Sequence, residues 1–200
     1  MPARKRRAGR VVYRHGSFRV LEGRSILPDG TRIRFPLLDS PSFSCVVALT
    51  DDHEICLVKN LHPSPGLRLL ELPGGRIEPG ESPRDAARRE LEEETGWRAQ
   101  RLLPLGRYYP NPHWGTFQGH IFLGEGLTRG SPRPDPGESV RPVLLPIGEV
   151  YRRLHGGRFF GGSTLVGLHL AEDRLRRKGL LTGRPARGGR ATSKTAEGVR

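Results

Sequence analysis

No stretch of this 200-residue chain approaches the run of roughly 18–20 apolar residues that a helix needs to cross a bilayer, and hydrophobic residues make up only 34% of it. The sequence therefore predicts no membrane partner. The opening MPARKRRAGR is basic, but no apolar segment follows it, so no secretory signal is expected. Cysteine is scarce: Cys45 and Cys56 are the two present. Two are too few for a disulfide framework, and neither has a second cysteine or histidine at zinc-ligand spacing. Both sit inside apolar, strand-like runs, which fits buried thiols in a reducing compartment and a cytoplasmic location. No internal repeat is present.

Basic charge is abundant. The formal net charge is +13, with much of it at the two ends. The sequence divides into a disordered basic N-terminus at 1–10, a β-hairpin region at 11–40, one catalytic domain at 41–178 and a disordered basic tail at 179–200. Solvated tails are the simplest reading of such charge runs. They also leave nucleic acid open as a partner, because a basic surface attracts polyanions.

After a short extended piece at 11–13, apolar runs at 18–26 and 31–38 flank Pro28-Asp29-Gly30, a turn sequence that predicts a hairpin. Strands at 44–49 and 54–58 flank Asp51-Asp52-His53 as a second hairpin, and 67–72 reads as a further strand. A helix is predicted from Ser82 as N-cap and Pro83 at its first position to about Thr95, stopping at Gly96. Strands follow at 99–107, 118–123 and 139–145. The segment 124–137, rich in Gly and Pro, reads as an exposed loop, and helices are expected at 147–154 and 164–177. Strands interrupted by one helix, with helices at the end, imply an α/β fold with a mixed sheet between helices.

The chemistry concentrates on the first helix. Glu90, Glu93 and Glu94 fall at i, i+3 and i+4 and so share one face. Like charges at that spacing destabilise a helix by a few tenths of a kcal/mol per pair, and a hard divalent cation with oxygen ligands would offset them. Arg88 and Arg89 relieve part of the repulsion. Gly74 and Gly75, in the preceding Leu72-Pro73-Gly74-Gly75 loop, let backbone approach a metal or phosphate closely. Glu81 closes that loop and is placed to fold back on the acidic face. An ordinary charged helix would explain the acids alone, but not the spacing of Gly75, Glu81, Arg89, Glu90, Leu91, Glu93, Glu94, Gly96 and Trp97.

At every defining position that spacing resembles the Nudix box, here over 75–97. The wider pattern is similar to the ADP-ribose pyrophosphatase-like and nucleotide-sugar pyrophosphatase group: Leu27-Pro28-Asp29-Gly30, Glu71-Leu72-Pro73-Gly74-Gly75, Tyr109-Pro110-Asn111-Pro112 and His120-Ile121-Phe122-Leu123 carry it. The resemblance implies a Nudix-type α/β/α sandwich preceded by the N-terminal hairpin. It implies attack of water on a diphosphate linkage of ADP-ribose or a nucleotide sugar, releasing a nucleoside monophosphate and a phosphorylated product. It also implies that Glu90, Glu93, Glu94 and the Gly74 carbonyl hold magnesium, with manganese as an alternative, that Arg89 orients the acids, and that Glu81 supports the loop.

Many members of that group carry an acidic pair after the Tyr-Pro segment. Here the stretch reads His113-Trp114-Gly115-Thr116-Phe117-Gln118, without a carboxylate. Glu93 or Glu138 is then the candidate base, with His113 a third option that ordinary surface placement would equally explain. Trp114, His113 and Lys59 are candidate substrate-binding residues. Two other readings compete with the small-nucleotide hydrolase: an RNA-directed hydrolase that removes a cap or terminal diphosphate, and a nucleotide-binding module without catalysis. A homodimer is expected, because the hairpin precedes the catalytic sheet and a lone hairpin is marginal in water.

Overall fold

The computed structural model describes residues 9–133 and 139–182. Most of the two predicted basic tails, and Glu138, lie outside the described residues.

The N-terminal region is more than a hairpin. β1 (Arg10–His15), β2 (Phe18–Ile26) and β3 (Arg32–Asp39) form a three-stranded antiparallel sheet in that order. The short extended piece expected at 11–13 becomes a full edge strand. The predicted turn between β2 and β3 forms for the reason its sequence suggests: Asp29 Oδ1 accepts the Thr31 amide at 2.9 Å, and the Gly30 amide donates to the Leu27 carbonyl at 2.9 Å.

The second sheet has seven strands: β4 (Phe43–Leu49), β5 (Glu54–His62), β6 (Leu67–Glu71), β7 (Gly74–Arg76), β8 (Trp97–Tyr108), β9 (Gly119–Arg129) and β10 (Arg141–Pro146). The central order is β10-β5-β4-β9-β8, with β6 paired to β5 and β7 to β4. β4 runs parallel to β9 and the other pairings are antiparallel, so the sheet is mixed as expected.

α1 (Pro83–Thr95) covers one face of this sheet. α2 (Ile147–His155) and α3 (Gly162–Arg177) cover the other. Val46, Ala48, Cys56, Ala87 and Leu91 pack beneath α1, while Val47, Leu57, Ile121, Leu123 and Leu168 pack beneath α2 and α3. The alternation along β4 and β5 assigns Cys45 to the second cluster and Cys56 to the first. The thiols therefore face opposite sides of the sheet, and burial pushes each up to about 12.

Three expectations need correction. The segment 124–137 is not a loop throughout, because β9 continues to Arg129, with Trp97 opposite Arg129 and Leu102 opposite Gly124. Its first glycine reflects packing: a Cβ on Gly124 would lie 2.9 Å from Val46 Cγ1. The 74–76 stretch, read as loop, is the short strand β7 paired to β4. At the other end, Leu180 and Leu181 pack against the α2–α3 core, so ordered packing continues past residue 179.

Candidate active site

α1 is fixed at both ends by local chemistry. The Ser82 hydroxyl accepts the Asp85 amide at 3.2 Å and Pro83 fills the first helical position. At the far end Gly96 takes the left-handed conformation, φ 75°, and its amide donates to the Glu92 carbonyl. Ala86, Ala87 and Leu91 bury one stripe of the helix. That fixes its rotation and turns the acidic face toward the loop that carries Gly74 and Gly75.

The loop is shaped around those acids. The Pro73 carbonyl accepts the Val46 amide at 2.9 Å, which ties the loop to β4. The Gly74 amide donates to Glu94 Oε2 at 2.8 Å, anchoring a carboxylate that is only 5% exposed. A Cβ on Gly74 would lie 2.2 Å from the Ser44 carbonyl oxygen, and one on Gly75 would lie 2.4 Å from Glu90 Oε1. Both positions need glycine for space, Gly74 to fit against β4 and Gly75 to leave room for the Glu90 carboxylate.

Arg89 organises the remainder. Its Nε donates to Glu81 Oε1 at 3.0 Å and its Nη2 to Glu81 Oε2 at 3.1 Å. Its Nη1 donates to Glu90 Oε1 at 2.8 Å and Glu93 Oε2 at 2.9 Å, and Nη2 also reaches the Arg76 carbonyl at 2.9 Å. The Glu78 amide donates to Glu81 at 3.0 Å. These bonds, the one from Arg89 foremost, hold the Glu81 carboxyl below the usual glutamate range despite partial burial. The Arg89 guanidinium is raised further in turn, first by Glu81 and then by Glu90 and Glu93.

Three carboxylates thus gather round one guanidinium, and a fourth, Glu94, is held by the Gly74 amide. Among the described residues no three acid, histidine or cysteine side chains are already drawn together as a metal cage, since Arg89 spans Glu90 and Glu93. The donor chemistry nonetheless fits a hard divalent cation. The donors are carboxylate oxygens, they outnumber the one guanidinium among them, and Gly75 leaves room for the Glu90 carboxylate.

A cavity of about 450 Å³ opens beside this face, lined by Glu81 and by Asp85, Arg88, Arg89, Glu92 and Glu93 of α1. Arg133, from the segment after β9, completes its wall.

The structure brings Gly74, Gly75, Glu81, Arg89, Glu90, Glu93 and Glu94 together. Leu91 is fully buried under the helix, and Trp97 opens β8 with the Arg129 guanidinium 5.8 Å from its ring centroid. The proposed substrate contacts stand on other elements. His113 and Trp114 lie before β9 with their rings 6.1 Å apart, and the Trp114 carbonyl accepts the Leu38 amide, tying that segment to β3. Lys59 is exposed on β5, opposite Arg141 on one side and Leu70 on the other. Two contributors had no signal in the sequence, the Arg76 carbonyl and Arg133. One acts through backbone, and the other arrives on the segment that follows β9.

Residues 40–160 match the NUDIX domain family. The chain belongs to the Nudix family. An ADP-ribose pyrophosphatase of Bacillus subtilis (strain 168) is 35% identical over 102 residues, covering 51% of this chain and 55% of that protein. An ADP-sugar pyrophosphatase of Mus musculus is 35% identical over 123 residues, covering 58% and 56%. The chain spans little more than half the length of these curated relatives. A crystal structure of an ADP compounds hydrolase superposes with a TM-score of 0.74 at 24% identity, covering 86% of this chain and 93% of that one. The 75–97 segment lies within the matched residues, set in the α/β/α sandwich described above.

Proposed function

We propose that this Nudix protein hydrolyses the diphosphate linkage of a nucleoside diphosphate derivative, ADP-ribose or a nucleotide sugar, to a nucleoside monophosphate and a phosphorylated product. One observation carries the reading: Arg89 draws Glu81, Glu90 and Glu93 into one cluster while the Gly74 amide holds Glu94 beside it. An ordinary charged helix has no need of a neighbouring strand whose Gly75 clears space for a carboxylate. The names of the two relatives supply the substrate class.

In this reading Glu90, Glu93 and Glu94, with the Gly74 backbone, hold magnesium or manganese. The cation would neutralise charge developing on the diphosphate oxygens and lower the pKa of the attacking water. The chain's own residues supply the rest. Arg89 keeps the acids in register until substrate arrives, and Glu81 fixes Arg89. Glu93, whose contact with Arg89 is its only ion pair among the described residues, takes the proton of the attacking water. Glu138 is the alternative base and lies outside the described residues. A P–O bond of the bridge breaks as the water oxygen bonds to phosphorus.

The test is release of nucleoside monophosphate from a panel of ADP-ribose, nucleotide sugars, nucleoside triphosphates and capped RNA, with magnesium, manganese or chelator. Metal-dependent release from ADP-ribose or a nucleotide sugar supports the reading. Release from capped RNA alone would replace it with the RNA-directed one, and no release from any member would leave a binding module.

We also infer a homodimer in the cytoplasm. Val11, Val12, Tyr13, Phe18 and Ile26 of the N-terminal sheet are exposed apolar side chains, and such a sheet invites a partner. Light scattering at micromolar concentration should give twice the 22.2 kDa chain mass; a monomer with full activity would sink the dimer.

A further inference from the structure

Three arginines line the cavity beside α1, and they differ in what their side chains are bound to. Arg89 is committed to Glu81, Glu90, Glu93 and the Arg76 carbonyl. Arg88 pairs with Asp85 at 3.2 Å. Arg133 makes no ion pair among the described residues.

The backbone that carries Arg133 is nevertheless well fixed. Its amide donates to the Glu93 carbonyl at 2.7 Å and the Gly130 amide donates to the Gly96 carbonyl at 2.7 Å. Pro132 lies so close to Gly96 that a Cβ there would approach its Cδ to 2.9 Å. These contacts satisfy carbonyls at the end of α1 that the helix leaves open. α1 has no basic residue in its last turn, so the simplest role for Arg133 is a cation at a helix C-terminus. That role alone does not account for its place in the wall of the cavity that Glu81, Arg89 and Glu93 share.

The charge balance points further. The cavity's acids, Glu81, Asp85, Glu92 and Glu93, outnumber its three arginines, and two of those arginines are already paired. A diphosphate entering this space meets net negative charge unless a cation outside those pairs receives it. Among the described residues Arg133 acts on Glu92 by charge without an ion pair, and guanidinium suits phosphate oxygens through its planar fork of donors. We propose that Arg133 is a substrate-binding residue, which receives a phosphate oxygen of the diphosphate and holds it against the acidic face of α1. The proposal rests on the hydrolase reading above.

The experiment compares wild type, Arg133→Ala and Arg133→Lys. The backbone bonds of residue 133 do not involve its side chain, so Arg133→Ala keeps them. With ADP-ribose and magnesium, KM should rise about tenfold or more in Arg133→Ala while kcat stays within about threefold, as expected for loss of one charge-assisted hydrogen bond. Arg133→Lys should recover part of the loss. Calorimetric binding of ADP-ribose with calcium in place of magnesium should weaken by a similar factor. Unchanged KM and binding in Arg133→Ala, with or without a lowered Tm, would overturn the proposal and leave only the helix-end role. So would a fall in kcat at unchanged KM. If ADP-ribose is not a substrate, the nucleotide cleaved in the panel takes its place. A wild type that neither cleaves nor binds any of them would show instead that the hydrolase reading has failed, and Arg133 with it.

Discussion

Glu81 precedes Arg89 by eight residues in the chain and meets it through both carboxylate oxygens. That contact decides where Arg89 points, and Arg89 in turn sets the positions of Glu90 and Glu93. Because the folded state holds the Glu81 carboxyl below its unfolded value of 4.5, the unfolded chain binds the proton more readily. The stability this contributes is present above about pH 4.5 and is lost as the pH falls through the lowered folded value. Glu81→Gln should therefore lower Tm by a few degrees at pH 7 (about 2–4 °C per kcal/mol for a chain of this size), and the gap to wild type should close in acid. Thermal denaturation of both proteins between pH 3 and 7 checks this. A gap that stayed constant across the range would show that the loss is one of shape and not of charge.

At the scale of elements, α1 was readable from sequence because its signals are local: a cap, a proline and a stopping glycine within a single segment. Leu91 anchors it, fully buried among Val46, Ala48, Cys56 and Ala87. Leu91→Ala should cost about 2–5 kcal/mol in urea denaturation, and activity should fall with it as the acidic face loses its fixed rotation; a cost below about 1 kcal/mol would show that this packing is not what holds the helix. The acidic spacing and the glycines before it were equally legible, since each chemical requirement falls on one short stretch. The rest was not, and for a common reason. The extension of β9 to Arg129 runs through glycines that sequence reading takes for a loop, yet Gly124 marks close packing against β4 and Gly126 lies against Gln100 of β8. β1 became a strand because β2 offers a partner edge, a relation between segments. The capping of α1 by residues 130–133 is made by backbone atoms and leaves no residue type to recognise.

Across the whole molecule, the mixed sheet separates two tasks. α2 and α3 close the larger core on one face, with Thr164 Oγ1 receiving the Leu72 amide just before the glycine loop. Among the described residues α1 is the one helix on the other face, and its outer side carries the charged residues that line the cavity. Strand β7, with Gly74 and Gly75, is paired to β4 and tied to Glu94, so the acids stand on rigid elements. If this acidic face is the metal-dependent hydrolytic centre, Glu94→Gln should disable it while sparing the fold. The amide is isosteric and its oxygen can still accept the Gly74 amide, so the fold should persist with a near-native Tm. Turnover of the cleaved nucleotide should fall by about a hundredfold or more, as loss of one preorganised electrostatic group usually causes, and the magnesium concentration for half-maximal rate should rise as a charged ligand is lost. Near wild-type turnover at low magnesium in a folded Glu94→Gln protein would contradict the assignment.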